Sequence, residues 1–347
     1  MKTHLVYRKD ASQETLLGRV ICGDLRDRDG KVAIRKGEVL DAGHVVTLTA
    51  LPWEQLSLIE IEPGDVHEAR AGERLAHAVV GRGVKVAGFT GGQWALASNA
   101  RGLLSVNVDA LQRVNSIEAM SVYTLFHGQP VGAGETVAKA KITPLVTREA
   151  DLAEAERLCK ESQGLVSVTP FQRRVIGAVA REHLDDRARE RFQKALSEKI
   201  GWFGSTLIGI RFAPKDPDAV ARDVKDFLAT GAEIVILAGA SALDPLDPVF
   251  QALVMLGAKM ARHGAPAHPG SLFWLARLGD TPLIGMPTCG MFSQATTFDL
   301  ILPRILAGER VDAGVLARLG HGGLLSREMA FRFPPYRAQQ PRGELPE

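Results

Sequence analysis

The feature that most constrains the fold is a short apolar run at residues 233–237, followed by two aspartate-proline pairs. The run is rich in β-branched residues and lies between Gly231 and Gly239, which predicts a strand buried on both faces. Asp244-Pro245 and Asp247-Pro248 follow, and aspartate before proline is a common helix start. The segment therefore predicts a strand, a glycine-containing loop and a helix N-terminus, an arrangement that binds anionic ligands in open α/β sheets.

Strands and helices alternate on both sides of this segment. Apolar runs predict strands at residues 174–179, 205–212 and around Ile234, and amphipathic periodicity predicts helices at 185–200, 218–230 and after Asp247. A two-strand ribbon is predicted at 271–278 and 281–286, and the last long helix at 292–306, with Gly308 as its stop. This alternation predicts an α/β, three-layer domain with a parallel-type sheet over residues 168–325.

The first 148 residues lack this alternation. Their short strands and glycine-rich turns predict an α+β region with β-barrel-like pieces. Asp65 and Glu68 have the spacing of a capping box, whereas His67 and Glu68 as a metal pair would not share a helical face. Residues 149–167 are interpreted as a connecting helix and linker, and the proline-rich segment 326–347 as a loose tail.

Composition and charge exclude several classes of function. A net charge of +2 gives no electrostatic footprint for nucleic acid. The three cysteines, Cys22, Cys159 and Cys289, are far apart, which argues against a disulfide framework or a zinc site and favours a reducing compartment. No apolar run reaches membrane-spanning length, and the N-terminus lacks a signal-type apolar region, so a cytoplasmic protein without membrane contact is expected.

Several separate motifs occur in an order typical of one family. They are AGASALDPLD (238–247), the segment 268–290 beginning HPGSLFWLARL, and TTFDLILPRILAGE (296–309), together with RKGEVL, EPGDVHEARAGERLA, TGGQWALASNARGLL and VAKAKITPL in the N-terminal half. Over residues 16–325 the chain resembles molybdopterin-binding proteins of molybdenum-cofactor biosynthesis. Their sheet domain is shared by the molybdate-inserting transferase and the pterin adenylyltransferase, and the most similar branch is associated with the molybdenum cofactor cytidylyltransferase.

The resemblance implies binding residues in three loops. The family's loop after the third strand falls on Gly239, Ala240, Ser241 and Asp247, its Pro-Gly before the ribbon on Pro269 and Gly270, and its loop before the last helix on Pro287, Thr288 and Cys289. Three motifs depart from the family pattern, since Gly239-Ala240 replaces Gly-Gly, Pro287-Thr288 replaces Pro-Gly, and Thr90-Gly91-Gly92 lacks arginine. The Asp-Gly-Tyr motif of the molybdate-inserting enzymes is absent, which weakens the case for insertion more than that for pterin binding.

Each candidate residue also has a purely structural explanation. Asp247 is predicted as a catalytic residue and metal ligand, and Asp244 as a contact for Mg²⁺ or the ligand's polar edge, but capping before proline accounts for both. The Ser241 hydroxyl either meets a phosphate or is a solvated loop group. His268 either binds an anionic group or lies on a surface loop.

The start of the last predicted helix carries three more candidates. Thr288 and Ser293 either cap that helix or contact a phosphate there. Cys289 is either a thiolate stabilised beside the helix start or a small buried apolar side chain.

These residues and the resemblance predict binding of molybdopterin, or of its molybdenum- or nucleotide-bearing form, with backbone N–H groups and Asp247 positioning it. Three activities stay open: a molybdotransferase-like enzyme, a non-enzymatic carrier or sensor of the cofactor, and a hydrolase of nucleotide-type substrates on the same fold. The resemblance also implies Mg²⁺ as an accompanying ion, a nucleotide or molybdate as a second ligand, molybdenum-cofactor enzymes as partners, and self-association into a dimer or trimer.

Overall fold

The chain separates into two compact units. The computed structural model describes residues 1–181, 184–240, 242–292 and 295–336. The first unit comprises residues 1–99, 105–127 and 133–168, and the second comprises residues 100–104, 128–132 and those from 169 on. Two short segments of the N-terminal half, residues 100–104 and 128–132, therefore belong to the second unit.

Short strands and helices make up the chain as far as residue 170. The strands are β1 (Lys2–Tyr7), β2 (Val20–Ile21), β3 (Leu25–Arg26), β4 (Val32–Ile34), β5 (Gln55–Glu60), β6 (Asp65–His67), β7 (Val84–Thr90), β8 (Gln93–Ser98), β9 (Gly102–Val106), β10 (Met120–Thr124), β11 (Pro130–Val131), β12 (Thr136–Ile142), β13 (Val146–Arg148) and β14 (Val166–Pro170). The helices are α1 (Gln13–Leu16), α2 (Ala42–Ala50), α3 (Glu68–Val79), α4 (Val108–Asn115) and α5 (Glu149–Glu161), and a 3-10 helix covers Arg8–Asp10.

Antiparallel sheets form the core of the first unit. One sheet has the strand order β1-β5-β2 and another the order β10-β12-β8-β7. Helix α3 buries Ala71, Leu75 and Val79 and packs against β8 and β12. The mixture of antiparallel pieces and single helices confirms the predicted α+β character of this region.

The predicted capping box at Asp65 and Glu68 is wrong. Asp65 lies in β6, which is extended through His67 by antiparallel pairing with β13. The N-cap of the helix is therefore His67, two residues after Asp65, and the His67 ring accepts a hydrogen bond from the N–H of Ala69 at 3.2 Å. Glu68 is the first helical residue, and burial raises the pKa of its carboxyl.

The second unit contains the larger sheet. Its remaining strands are β15 (Val175–Ala180), β16 (Thr206–Phe212), β17 (Ile234–Ala238), β18 (Lys259–His263), β19 (Trp274–Leu278) and β20 (Thr281–Met286). Its helices are α6 (Asp186–Trp202), α7 (Pro217–Ala229), α8 (Pro248–Met255), α9 (Thr288–Phe292), α10 (Thr297–Leu306) and α11 (Ala313–Ala317), with 3-10 helices at Arg318–Gly320 and Arg327–Arg332.

The six strands lie in the order β16-β15-β17-β20-β19-β18. The first four are parallel, whereas β19 pairs antiparallel with β20 and β18 antiparallel with β19. On one face, Ile176 and Ile236 pack with Phe192 of α6 and Phe298 of α10. On the other, Val235 and Leu237 pack with side chains of α7 and α8. Helices on both faces confirm the predicted three-layer α/β domain.

Some elements of this unit differ from the prediction. Strand β18 was not predicted, and the predicted ribbon is part of the main sheet, with β20 next to β17. The prediction of a single last helix at 292–306 is wrong, because α9 and α10 are separate helices. Within the segment predicted as a loose tail, Phe333 and Tyr336 are buried, and residues 337–347 lie outside the described residues. Across the described ranges, none of the helices combines the length and apolar character that a bilayer crossing demands.

Candidate functional site

The carboxyl ends of three neighbouring parallel strands meet at one edge of the large sheet. Directly after β15, the N–H of Arg181 donates to the carbonyl of Ala238 at 2.7 Å, and directly after β17, the N–H of Gly239 donates to the carbonyl of Met286 at 3.2 Å. The loops that follow β17 and β20 therefore start side by side. The loop before β19 reaches the same edge, because Trp274 pairs with Gly285 near the end of β20. These loops are called the carboxyl edge, and ligands of open α/β sheets bind at this position.

The loop after β17 is shaped by its own backbone. Gly239 has φ +77°, a conformation that favours glycine, and Ala240 packs against the apolar core on the α7 and α8 face. The Nε2 of His263 donates to the carbonyl of Ala242 at 2.6 Å, which ties the loop to β18. Ser241, predicted as a phosphate contact, lies outside the described residues.

Asp247 and Asp244 hold the start of α8. Asp247 is buried, with 6% of its surface exposed, and its Oδ1 accepts a hydrogen bond from the N–H of Val249 at 2.9 Å. Asp244 is exposed, and its Oδ1 accepts from the N–H of Leu246 at 2.9 Å. The predicted cap at Asp247 is therefore present, and the metal and catalytic roles of Asp247 stay predictions.

The second predicted loop packs on the start of α10. The N–H of Thr297 donates to the carbonyl of Pro269 at 3.0 Å, and the peptide bond between His268 and Pro269 is cis. Gly270 has φ +107°, and a Cβ on it would lie 2.8 Å from the Thr297 Oγ1. His268 is exposed, while its N–H donates to the carbonyl of Gly323 at 2.8 Å. The Pro269-Gly270 loop is thus fixed against a helix start instead of projecting freely.

Replacing Gly270 with alanine is expected to lower the free energy of unfolding by about 3 kcal/mol, because it adds a steric clash to backbone strain. The matched control is Gly279→Ala, since Gly279 has φ +60° but open space around its missing Cβ. That variant should lose only about 1–2 kcal/mol from strain. Urea unfolding of both variants measures the difference, and equal losses would show that the approach of Gly270 to Thr297 is unimportant.

The third predicted loop forms the short helix α9. Pro287 is buried, while Thr288 and Cys289 reach the surface. Partial desolvation raises the pKa of the Cys289 thiol and outweighs the backbone N–H groups of Cys289 and Gly290, which lower it. This is opposite to the stabilised thiolate considered from the sequence. Ser293 lies outside the described residues.

Thr288, which was predicted to cap the last helix, begins α9 instead. The N-cap of α10 is Thr296, which forms a capping box with Asp299. One oxygen of Asp299 accepts from the N–H and the hydroxyl of Thr296, at 3.0 and 2.8 Å. The sequence carries the signal for this, Thr-x-x-Asp, but the apolar periodicity on both sides of it hides the break.

A buried charged cluster lies behind α10 and was missed by the sequence analysis. The ammonium of Lys199 on α6 lies 2.7 Å from the Asp299 carboxylate, and the two side chains are 4% and 0% exposed. The Tyr336 ring lies beside this pair, with its centroid 5.4 Å from the Lys199 ammonium. Lys199 falls within the apolar stripe of α6 formed by Phe192, Leu196 and Ile200, which was a readable signal. The cluster fixes the start of α10, on which the Pro269-Gly270 loop rests.

The Tyr336 phenol makes the fold sensitive to alkali. Burial, and then the charge of Asp299, raise its pKa well above the ordinary value of 10.0. The folded protein therefore holds this proton more tightly than the unfolded chain, so its contribution to stability is complete below pH 10 and falls as the pH rises further. Tyr336→Phe should flatten the decline of unfolding free energy above pH 10 in urea titrations at a series of pH values. Parallel curves for both proteins would contradict this assignment.

The described residues do not supply a three-ligand metal site. No group of three or more histidine, cysteine, aspartate or glutamate side chains within them is placed to hold an ion. All three cysteines are free. A role for Mg²⁺ would therefore need oxygen ligands from the bound substrate in addition to Asp244 or Asp247.

Comparison with known proteins yields structural neighbours only. Neither a family model nor a curated protein matches the sequence. A molybdopterin biosynthesis MoeA protein from Pyrococcus horikosii is 12% identical, with a TM-score of 0.31, over 70% of this chain and 79% of that one. A molybdenum cofactor biosynthesis protein from Pyrococcus furiosus is 14% identical, with a TM-score of 0.26, over 89% of this chain and 64% of that one.

A third neighbour matches a smaller share of this chain. The tungsten cofactor synthesizing protein MoaB from Pyrococcus furiosus is 13% identical, with a TM-score of 0.26, over 34% of this chain and 84% of that one. At these identities and TM-scores, the neighbours assign neither a family nor an activity to this chain.

Proposed function

We propose that the second unit binds a phosphorylated pterin at the carboxyl edge: molybdopterin, or its molybdenum- or nucleotide-bearing form, in molybdenum cofactor biosynthesis. The observation that carries the proposal is the hydrogen bond from Gly239 to Met286, which sets the loops after β17 and β20 side by side. These are two of the three loops in which the sequence motifs place binding residues. The structural neighbours carry names from the same biosynthesis.

In this proposal, main-chain N–H groups and loops held in fixed positions bind the ligand. A positive φ at Gly239 turns the backbone after β17, and Thr288 lies exposed at the start of the neighbouring loop. Backbone N–H groups and a hydroxyl are suitable donors for phosphate oxygens. The Pro269-Gly270 loop, fixed on α10, closes the third side of the site. The apolar floor is supplied by buried residues such as Met286 and Pro287.

Within this proposal, a carrier is favoured over a molybdotransferase-like enzyme. The carboxylate of Asp247, the predicted catalytic residue, is buried and caps α8 through the N–H of Val249. A group that holds a helix start is less available to hold a metal ion or to transfer a proton. Binding and release of an intact cofactor form need no such group.

The test of binding is the pterin content of the purified protein. The chain is isolated from molybdenum-replete cells, and bound pterin is released, oxidised and quantified by its fluorescence. The proposal predicts near-stoichiometric pterin, or its recovery after addition of molybdopterin. No pterin before or after addition would reject it.

A second assay separates carrier from enzyme. The protein is incubated with adenylated molybdopterin and molybdate, and nucleotide release is followed. A carrier retains the ligand without release, whereas a transferase or a hydrolase liberates nucleotide. Molybdate-dependent release would identify the transferase, and molybdate-independent release the hydrolase.

A further inference from the structure

Arg181 is a buried cation, and two of its guanidinium nitrogens find no acceptor among the described residues. It follows β15 directly and is only 7% exposed. Its Nε and Nη1 atoms are buried, and neither has a hydrogen-bond partner among the described residues. These two nitrogens carry three N–H donors. Buried polar groups in native proteins are nearly always paired, so two unpaired guanidinium nitrogens call for an explanation.

The charge of Arg181 makes the missing partner more significant. A guanidinium stays protonated in proteins, so it cannot escape burial by losing its proton. Its planar donors match the oxygens of a phosphate, which is why arginine is used for phosphate recognition. An oxyanion beside Arg181 would supply both the missing acceptors and the missing negative charge.

Other arginines of the same unit show what a structural role looks like here. Arg174 precedes β15 at the opposite end of that strand, and its guanidinium pairs with Glu233 and Gln172. Arg211 on β16 pairs with Asp223 at 2.9 Å and Asp226 at 2.6 Å. These exposed or half-buried arginines are paired, whereas the more deeply buried Arg181 has two unpaired nitrogens and the partly buried Arg189 has one. Within residues 1–181, 184–240, 242–292 and 295–336, the Nε and Nη1 atoms of Arg181 thus have no acceptor of the kind that Arg174 and Arg211 have.

The position of Arg181 places it at the carboxyl edge. Its own N–H bonds to Ala238, and the next residue, Gly239, bonds to Met286. Arg181 is thus two strand spacings, about 10 Å, from the loop that starts at Pro287. That span fits a ligand with an anionic group at one end and a ring at the other.

We infer that Arg181 is the anchor for a phosphate-type oxyanion of the ligand at the carboxyl edge. The inference rests on the proposed function only in one respect, which is that the oxyanion is attached to a pterin ring. The oxyanion itself is a phosphate ester of the ligand or a free tetrahedral anion such as phosphate or molybdate, since all present the same oxygens to the guanidinium.

The first experiment uses inorganic phosphate alone. Thermal unfolding midpoints are measured at constant ionic strength with rising phosphate for the wild type, Arg181→Met and Arg174→Met. Phosphate stabilises proteins in general, so only the difference between proteins counts. The wild type and Arg174→Met should gain stability in a saturable manner, and Arg181→Met should not. Ligand-free Arg181→Met should itself unfold at a higher temperature than the wild type, because it no longer buries an uncompensated charge.

Arg181→Lys keeps the experiment decisive if the methionine variant fails to fold. It retains the charge but loses the planar donors, and should bind phosphate roughly 10-fold more weakly than the wild type. Repeating the titration with molybdate distinguishes the free anions. Equal responses of the wild type and both Arg181 variants to every anion would overturn the inference.

The second experiment separates this inference from the proposed function. Binding of a pterin phosphate ester and of the same pterin without phosphate is measured for the wild type and Arg181→Lys. The inference predicts a roughly 10- to 100-fold preference of the wild type for the ester, reduced in the variant. Binding of both pterins without preference would sink the inference and leave the function standing. If stabilisation by anions depends on Arg181 but neither pterin binds, the inference stands and the proposed function fails.

Discussion

Replacing Lys199 with methionine is expected to lower the free energy of unfolding by about 3–5 kcal/mol, the range seen when one partner of a buried ion pair is removed. Methionine fits the aliphatic space of the lysine stem but leaves the Asp299 carboxylate buried without its counterion. The ammonium and carboxylate are 2.7 Å apart and almost fully enclosed. Urea unfolding at neutral pH measures the loss.

A double-mutant cycle gives the control. Asp299→Asn alone should also be costly, because it leaves Lys199 buried with a neutral partner. The double variant should lose much less than the sum of the two single losses, since no uncompensated charge remains. Arg157→Met breaks an exposed ion pair with Glu154 on α5 and should cost at most about 1 kcal/mol. A loss for Lys199→Met no greater than that for Arg157→Met would show that the pair does not stabilise the fold.

Replacing Thr288 with glutamate is expected to weaken binding of a phosphorylated pterin by roughly 30- to 100-fold. Thr288 is exposed at the start of the loop after β20. A carboxylate about 6 Å from a phosphate costs about 2–3 kcal/mol at an effective dielectric constant near 20. Equilibrium titration of the purified protein, followed by pterin fluorescence, measures the change.

The matched control for this variant is Thr281→Glu. Thr281 begins β20, so it lies at the opposite end of the same strand. The added charge is identical, but it is distant from the carboxyl edge, and the affinity should remain within about twofold of the wild type because salt screens remote surface charges. Equal weakening by both variants would mean that the ligand does not bind at the carboxyl edge.

The parts of the fold that depend on local chemistry were predictable. The buried strand β17 and the helix start at Asp247-Pro248 were predicted from residues adjacent in sequence, and the structure confirms both. Their signals are strong because proline fixes its own backbone and aspartate caps the following N–H groups. The alternation of strands and helices then determined the three-layer architecture.

The elements that were missed depend on distant partners. Strand β18, with the sequence KMARH, has little apolar pattern and exists because β19 offers it a hydrogen-bonding edge. The break between α9 and α10 was hidden because apolar residues continue on both sides of Thr296. Pairing across a sheet is a tertiary effect that a single stretch of sequence does not display.

The candidate site was predictable as a set of loops but not as a set of charges. Motifs pointed to Gly239, Gly270 and Thr288, and the structure places their loops at one edge of the sheet. Arg181 and Lys199 gave weaker signals, because the burial of a charged side chain is decided by what packs around it. The buried charges of Arg181 and Lys199 were therefore found only from the structure.

Hydrogen–deuterium exchange with and without a pterin phosphate ester reports directly on the main-chain N–H groups that are proposed to bind the phosphate. Exchange should slow in the loops after β17 and β20 and in the Pro269-Gly270 loop, with little change in the first unit. Slower exchange confined to the opposite end of the sheet or to the first unit, or unchanged exchange at saturating ligand, would contradict the proposed binding.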